Sequence, residues 1–401
     1  MHISDFHLSY CSNIHPGESW EATFQNLQRY IPEIRSNLNF QQSFGIGLRL
    51  SHEASLELQK PSIIAEFKAW LESENAYVFT LNGFPYGDFH RTTVKDQVHF
   101  PDWTTEERRD YTIRSFRILA GLIPEGLDGG ISTSPISYRH WFQSESDLNA
   151  AMVKASHHLL QVVEELALIE RETGKFLHLD IEPEPDGILE NSGEMIWLFQ
   201  EYLLPIAKET WAKSRHLNEA EAEKLIKRHI QVCYDVCHFA IVYEKPSETF
   251  AKFASAGIQI GKIQISAALK LLLGDDKKLI KQKLEPFVES TYLHQVVGRY
   301  PTGKLVSYPD LPYALAKIES AQEEEWRIHF HVPLFIESYG DLLSTQSSIV
   351  EVLDELALNP GLTNHLEVET YTWEVLPEKM RLDMGESISR ELDWVIQNMI
   401  K

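Results

Sequence analysis

Ile230-Gln231-Val232-Cys233-Tyr234-Asp235-Val236-Cys237-His238 is the stretch that decides the fold. It begins as an apolar-rich strand and ends in Asp235-x-x-His238. An acid closing a strand, with an imidazole just beyond it, can hold a divalent ion at the mouth of a β/α barrel. Four other segments repeat the pattern. Side chains alternate across a strand. In Phe176 to Glu182, Leu177, Leu179 and Ile181 share one face, and His178, Asp180 and Glu182 the other. In Ile260 to Ser266, Ile263 and Ile265 oppose Lys262, Gln264 and Ser266. In Trp326 to Val332, Trp326, Ile328, Phe330 and Val332 oppose Arg327, His329 and His331. In Leu366 to Thr370, Leu366 and Val368 oppose Glu367 and Glu369. A parallel barrel covers its outer face with helices, so that face must be apolar. The polar face then points inward, and its last residue lies at the C-terminal mouth, where barrel active sites are built.

Strand candidates also occur at His7 to Cys11, Gly45 to Leu50, Tyr77 to Leu81 and Gly130 to Thr133, with helical patterns between. Ser144 to Thr173 carries Leu148, Met152, Leu159, Val163, Leu166 and Ile169 at helical spacing and is closed by Gly174. Thr345 to Leu358 and Ser387 to Ile400 read the same way. Alternating strands and helices imply a parallel sheet, and the expectation is one (β/α)₈ barrel over residues 1–401. Nine strand candidates exceed eight by one, so Trp326 to Val332 is assigned to an elaboration between the last two barrel strands. Residues 269–325 become an insertion near the mouth, rich in turns at Gly298 to Gly303 and Tyr308 to Asp310. It would form a lid, a contact between copies in a homo-oligomer, or plain elaboration.

With 59 acidic against 37 basic residues the chain carries −22, which opposes a nucleic-acid surface and docking on anionic lipid. Three cysteines, Cys11, Cys233 and Cys237, are too few and too scattered for a disulfide scaffold and read as small buried hydrophobes. No apolar run of ~18 residues and no basic, apolar leader is visible. The expectation is a cytoplasmic protein without membrane insertion, acting on a small-molecule metabolite.

Asp235-x-x-His238 at a strand end, Glu182 before it and Glu369-Thr370 on the last strand resemble the xylose isomerase-like barrel superfamily. That group includes sugar-phosphate isomerases and epimerases, ketose 3-epimerases and metal-dependent AP endonucleases. Tyr10 to Gly17, Gly83-Phe84-Pro85-Tyr86-Gly87, His329-Phe330-His331-Val332-Pro333 and Glu367 to Trp373 are similar to the EboE-type proteins of bacterial metabolite-traffic gene clusters. The resemblance implies a metal held by a Glu, an Asp, a His and a second Glu. Glu182, Asp235 and Glu369 match three of these, and Gln264 stands where the family usually has His. An oxygen-rich set suits Mn²⁺, Mg²⁺ or Co²⁺ better than Zn²⁺. Glu182 and Glu369 would act as base and acid in proton transfer next to a carbonyl. His238, His329 and His331 would bind substrate hydroxyls or a phosphate.

Each residue also has a plainer role. Glu184 lies past Pro183 as a loop acid and ranks behind Glu182. Glu367 lies one layer deeper than Glu369, where Lys262 or Arg327 could pair with it. His178 and Asp180 could form an inner network. His52 and His90 would line the pocket at best, and Trp103 and Tyr111 belong to the core. Three functions remain: a metal-dependent isomerase or epimerase, a metabolite-binding barrel of a traffic pathway, and an endonuclease IV-like phosphoesterase.

Overall fold

The computed structural model describes residues 1–87, 95–274, 276–288, 292–339, 342–373 and 378–399. Eight parallel strands make the barrel: Phe6–Tyr10, Phe44–Arg49, Ala76–Asn82, Gly129–Thr133, Leu177–Ile181, Ile230–Asp235, Ile260–Ile265 and His365–Val368. Each pairs with its successor from the second to the eighth, and the eighth pairs with the first through Leu366 and Leu8. A parallel bridge from Cys11 to Gly47 closes the seam between the first two. A short strand, His2–Ile3, lies antiparallel on the first.

The helices follow their sequence signals. Ser144 caps Glu145–Thr173 by accepting from the Asp147 N–H, and Gly174 ends that helix at φ 71°. Met152, Leu159, Val163, Leu166 and Ile169 are buried on its inner face. Asn218 and Glu221 form a reciprocal capping box on Glu219–His229. The last helix, Met384–Met399, seats Ile388, Leu392 and Val395 in the core.

A second, antiparallel sheet rises between the seventh and eighth barrel strands. Its order is Leu305–Tyr308, Val296–Arg299, Glu325–His331, Ala268–Leu272, Leu342–Ser344 and Ser338–Tyr339. The strand Glu325–His331 thus lies outside the barrel, as its surplus in the strand count implies. A register irregularity between Ile328 and His331 lies in the segment holding His329, close to the mouth.

The barrel interior is polar rather than aliphatic, and it is layered. His178 and His365 occupy the N-terminal end, at the starts of the fifth and eighth strands. Asp180, Lys262 and Glu367 follow, and Glu182, Asp235 and Glu369 lie at the C-terminal end. All eight are at most 5 % exposed. Lys262 Nζ pairs with Glu367 Oε2 at 2.8 Å and donates to Ser132 Oγ at 3.1 Å. Gly47 makes room for this pair, since a Cβ there would stand 1.8 Å from Glu367 Oε1. Among the described residues no helix is long and apolar enough to cross a membrane.

Candidate functional site

Asp235 ends its strand and caps the helix Val236–Ile241. Its Oδ1 accepts from the His238 N–H at 3.0 Å and from Ser266 Oγ at 2.7 Å. The cap explains the Asp-x-x-His spacing: one helical turn sets His238 above the acid. Asp235 Oδ2 has no hydrogen-bond partner among the described residues. Glu182 is anchored by its N–H on the Thr133 carbonyl, and Glu369 by its N–H on the Ile265 carbonyl. Glu182 Oε2 and Glu369 Oε2 likewise lack partners among the described residues. The other Glu369 oxygen accepts from the Tyr371 hydroxyl. The three carboxylates offer one oxygen each within 4.8 Å of one another.

Burial pushes the Glu182 carboxyl well above the usual range, and Glu369, Asp235 and Glu184 add to the shift. Burial raises Glu369 too, with Asp235 reinforcing it against His331 and Tyr371. Buried carboxylates this close repel unless a cation or protons intervene. The buried Lys262 is committed to Glu367, one layer below. Orphaned oxygens converging from three strands are therefore a donor set that fits a divalent ion.

The histidines add nitrogen. His238 Nδ1–H donates to the Pro183 carbonyl at 2.9 Å, leaving Nε2 bare. His331 Nδ1–H donates to the Glu369 carbonyl at 3.0 Å, so its Nε2 is bare as well. His329 Nδ1–H donates to Gln295 Oε1 at 2.9 Å, while Gln295 Nε2 donates to the Pro185 carbonyl at 3.1 Å. The Nε2 atoms of His238 and His329 then face each other at 3.1 Å. Burial holds His238 down at about 3, helped by His331, and drives His329 well below its ordinary value. Asp235, His238 and His331 form a second group within 4.8 Å, and Glu184, His238 and His329 a third.

Above these groups lies a cavity of about 150 Å³. Glu182, Glu184, His238, His329, His331 and Glu369 line it, together with Asn13, Asn82, His99 and Tyr371. Three of the four local signatures noted in the sequence thus reach the same cavity, through Asn13, Phe84 and Pro85, and Tyr371 and Thr372; the fourth supplies His329 to His331. Gln264 is buried but is not part of the lining. Its Oε1 accepts from the Cys233 thiol at 3.0 Å. His90 lies outside the described residues. His52 stacks on Tyr86 and bonds Arg114, away from the cavity. Trp103 and Tyr111 are core. Glu367 takes Lys262, while Arg327 takes Glu325. All three cysteines are free and buried.

Asn82, His99 and Gln295 escaped the sequence reading, while Asn13 and Tyr371 were noted only as parts of local signatures, with no role of their own. Of the three that escaped, Asn82 carried a usable signal, as the polar residue closing the third strand.

Neither a protein-family model nor a curated protein sequence matches the chain. Solved structures similar to it include a D-tagatose 3-epimerase-like protein, at 9% identity over 98% of both chains and TM-score 0.48. Another is a xylose isomerase-like TIM barrel protein from Mycobacterium smegmatis in complex with magnesium, at 13% identity, 95% of this chain, 89% of that one and TM-score 0.47. A third is 3-keto-D-glucoside 4-epimerase from E. coli, at 12% identity, 98% and 99% coverage and TM-score 0.44. The barrel itself is established by its own strand order.

Proposed function

We propose that the chain is a divalent-metal-dependent isomerase or epimerase of a sugar-like or small polyhydroxy metabolite. The observation that carries this is the convergence of Glu182, Asp235 and Glu369, each with an orphaned oxygen, below a cavity walled by bare imidazole nitrogens. These three acids would hold the ion. Gln264 would complete the set with the lone pair that the Cys233 thiol leaves free, but it is not part of the cavity lining. His331 Nε2 is the better placed fourth donor, because a carbonyl-anchored imidazole has its free nitrogen fixed in direction. Mn²⁺, Co²⁺ and Mg²⁺ fit the oxygen donors, and the nitrogen readmits Zn²⁺.

The ion would polarise a substrate carbonyl and stabilise enediolate charge. Glu182 removes the proton from the carbon beside the carbonyl, and Glu369 returns one. Tyr371 orients Glu369 by donating to its other oxygen. His238 and His329 accept from substrate hydroxyls. The chain acts as one unit over residues 1–401, with the insertion near the mouth covering the cavity. Metal-loaded protein incubated with polyhydroxy aldehydes and ketones in D₂O should place deuterium on the carbon next to the carbonyl. Turnover without label indicates a hydride shift, and neither turnover nor exchange rejects the enzyme reading.

The second reading is a metabolite-binding barrel of an EboE-type traffic pathway. The glutamine at position 264, bonded to Cys233 and outside the cavity lining, favours it, as do the local signatures that meet at the cavity. Tight ligand binding with no exchange would select it.

A further inference from the structure

At the opposite end of the barrel the polar stack closes on a second group of donors. His178 and His365 lie side by side with ring centroids 5.5 Å apart. Asp128, in the turn before the fourth strand, reaches both. Its Oδ2 is 3.8 Å from His178 Nε2 and its Oδ1 is 3.7 Å from His365 Nε2. These separations are too long for hydrogen bonds. They are close to the roughly 3.4 Å between neighbouring ligands of a tetrahedral ion bound at about 2.1 Å.

The imidazoles are prepared in different ways. His178 Nδ1–H donates to Asp180 Oδ1 at 2.6 Å, which turns its Nε2 toward Asp128. A carboxylate behind an imidazole is the usual support of a metal-ligating histidine. His365 is fully buried, and neither ring nitrogen has a hydrogen-bond partner among the described residues. Leaving a buried imidazole unsatisfied costs free energy that a ligand would recover. Glycines on both sides keep room for the arrangement. A Cβ on Gly261 would stand 1.9 Å from Asp180 Oδ1, and one on Gly130 would stand 2.6 Å from His178 Cε1.

Asp128 and His178 open onto a cavity of about 300 Å³ whose lining includes Gln231, Gln259, Thr363 and Asn364, with His365 buried behind them. That leaves space for water at a fourth position. Asn364 Nδ2 donates to Asp128 Oδ1 at 2.9 Å and steadies the only part-exposed member.

We propose a second metal site here, held by Asp128, His178 and His365 and backed by Asp180, for a borderline ion of the Zn²⁺ or Co²⁺ class. It lies across the barrel from Glu182, Asp235 and Glu369 and does not depend on the reaction assigned to them. The N-terminal face of such a barrel serves stability rather than catalysis. The ion would tie the turn before the fourth strand to the starts of the fifth and eighth.

The test is metal content and the Co²⁺ absorption spectrum of the full chain and its variants after dialysis against Co²⁺ or Zn²⁺. His365→Gln and Asp128→Asn should each lose one equivalent relative to the parent. Asp235→Ala should lose metal independently, and Asp235→Ala with His365→Gln should lose both shares. Zn²⁺ should raise the melting temperature of Asp235→Ala but not that of Asp235→Ala with His365→Gln. Asp128 is part-exposed, so Asp128→Asn keeps the test open if a histidine variant fails to fold. If both His365→Gln and Asp128→Asn retain the parent's metal, the proposal falls and the group is a metal-free hydrogen-bonded plug. Loss confined to Asp235→Ala would spare the mouth site and overturn this one alone.

Discussion

His238 and His329 point bare Nε2 lone pairs at each other across 3.1 Å. Each ring spends its only proton on a fixed acceptor, Pro183 for one and Gln295 for the other. Two bare lone pairs this close repel, and a donor placed beside them relieves the repulsion; a polyol hydroxyl is such a donor. His329→Phe removes one acceptor while keeping ring volume. KM for the substrate should rise roughly tenfold, the equivalent of one hydrogen bond of about 1.4 kcal/mol, with kcat changed less. An unchanged KM would remove His329 from substrate binding.

Glu182→Gln and Glu369→Gln test the proton transfer. Each keeps an oxygen donor and removes a base. Each should lower kcat by about 10² or more with little change in substrate affinity. Deuterium exchange surviving in either variant would free that residue from the role.

The fourth donor at the mouth can be assigned by substitution. His331→Ala should weaken Mn²⁺ or Co²⁺ binding by titration calorimetry by at least tenfold, the usual scale of losing a ligand or its support. Gln264→Ala should have the smaller effect, since His331 lines the cavity and Gln264 does not. The reverse order would make Gln264 the ligand.

Lys262 and Glu367 are both fully buried and 2.8 Å apart. Lys262→Met alone strands a carboxylate and should cost about 3–5 kcal/mol in denaturant unfolding. Lys262→Met with Glu367→Leu should recover much of that loss. Equal losses in single and double variants would show that the pair is not the coupled unit.

Glu391 gives a pH signature away from any metal donor. Its carboxylate accepts from the Leu334 N–H and from Trp373 Nε1, both at 2.9 Å. Burial nevertheless raises it to about 7, the two hydrogen bonds opposing the shift. A carboxyl raised in the folded state stabilises fully below its unfolded value near 4.5. That contribution is lost as pH rises through about 7. The effect is at most on the order of 3 kcal/mol, from about 1.4 kcal/mol per pH unit. Glu391→Gln should flatten the fall in stability between pH 5 and pH 8 in thermal melts, and an unflattened profile would rule the group out.

Much of the barrel could be read without coordinates because alternation is local. In Leu177 to Glu182 and Leu366 to Glu369, neighbouring residues alone decide which side chains share a face, and a covered outer face leaves the polar side inward. Asp235 and His238 were legible for the same reason, being one capped helical turn apart. The helix from Ser144 to Gly174 declared both its ends. Other features depend on which distant segments become neighbours. His329 and His331 alternate correctly in the sequence, but only the fold of the second sheet brings them over the barrel mouth. Gln264 has the parity of a ligand, yet its oxygen accepts from the thiol on the adjacent strand and it is not part of the cavity lining. Asp128, His178 and His365 come from three separate segments, and barrel closure gathers them at the N-terminal end. Alternation is set by bond geometry along one strand, whereas register and closure are set by packing the whole chain. The sequence therefore determined which residues could face the interior, and the tertiary structure decided which of them meet.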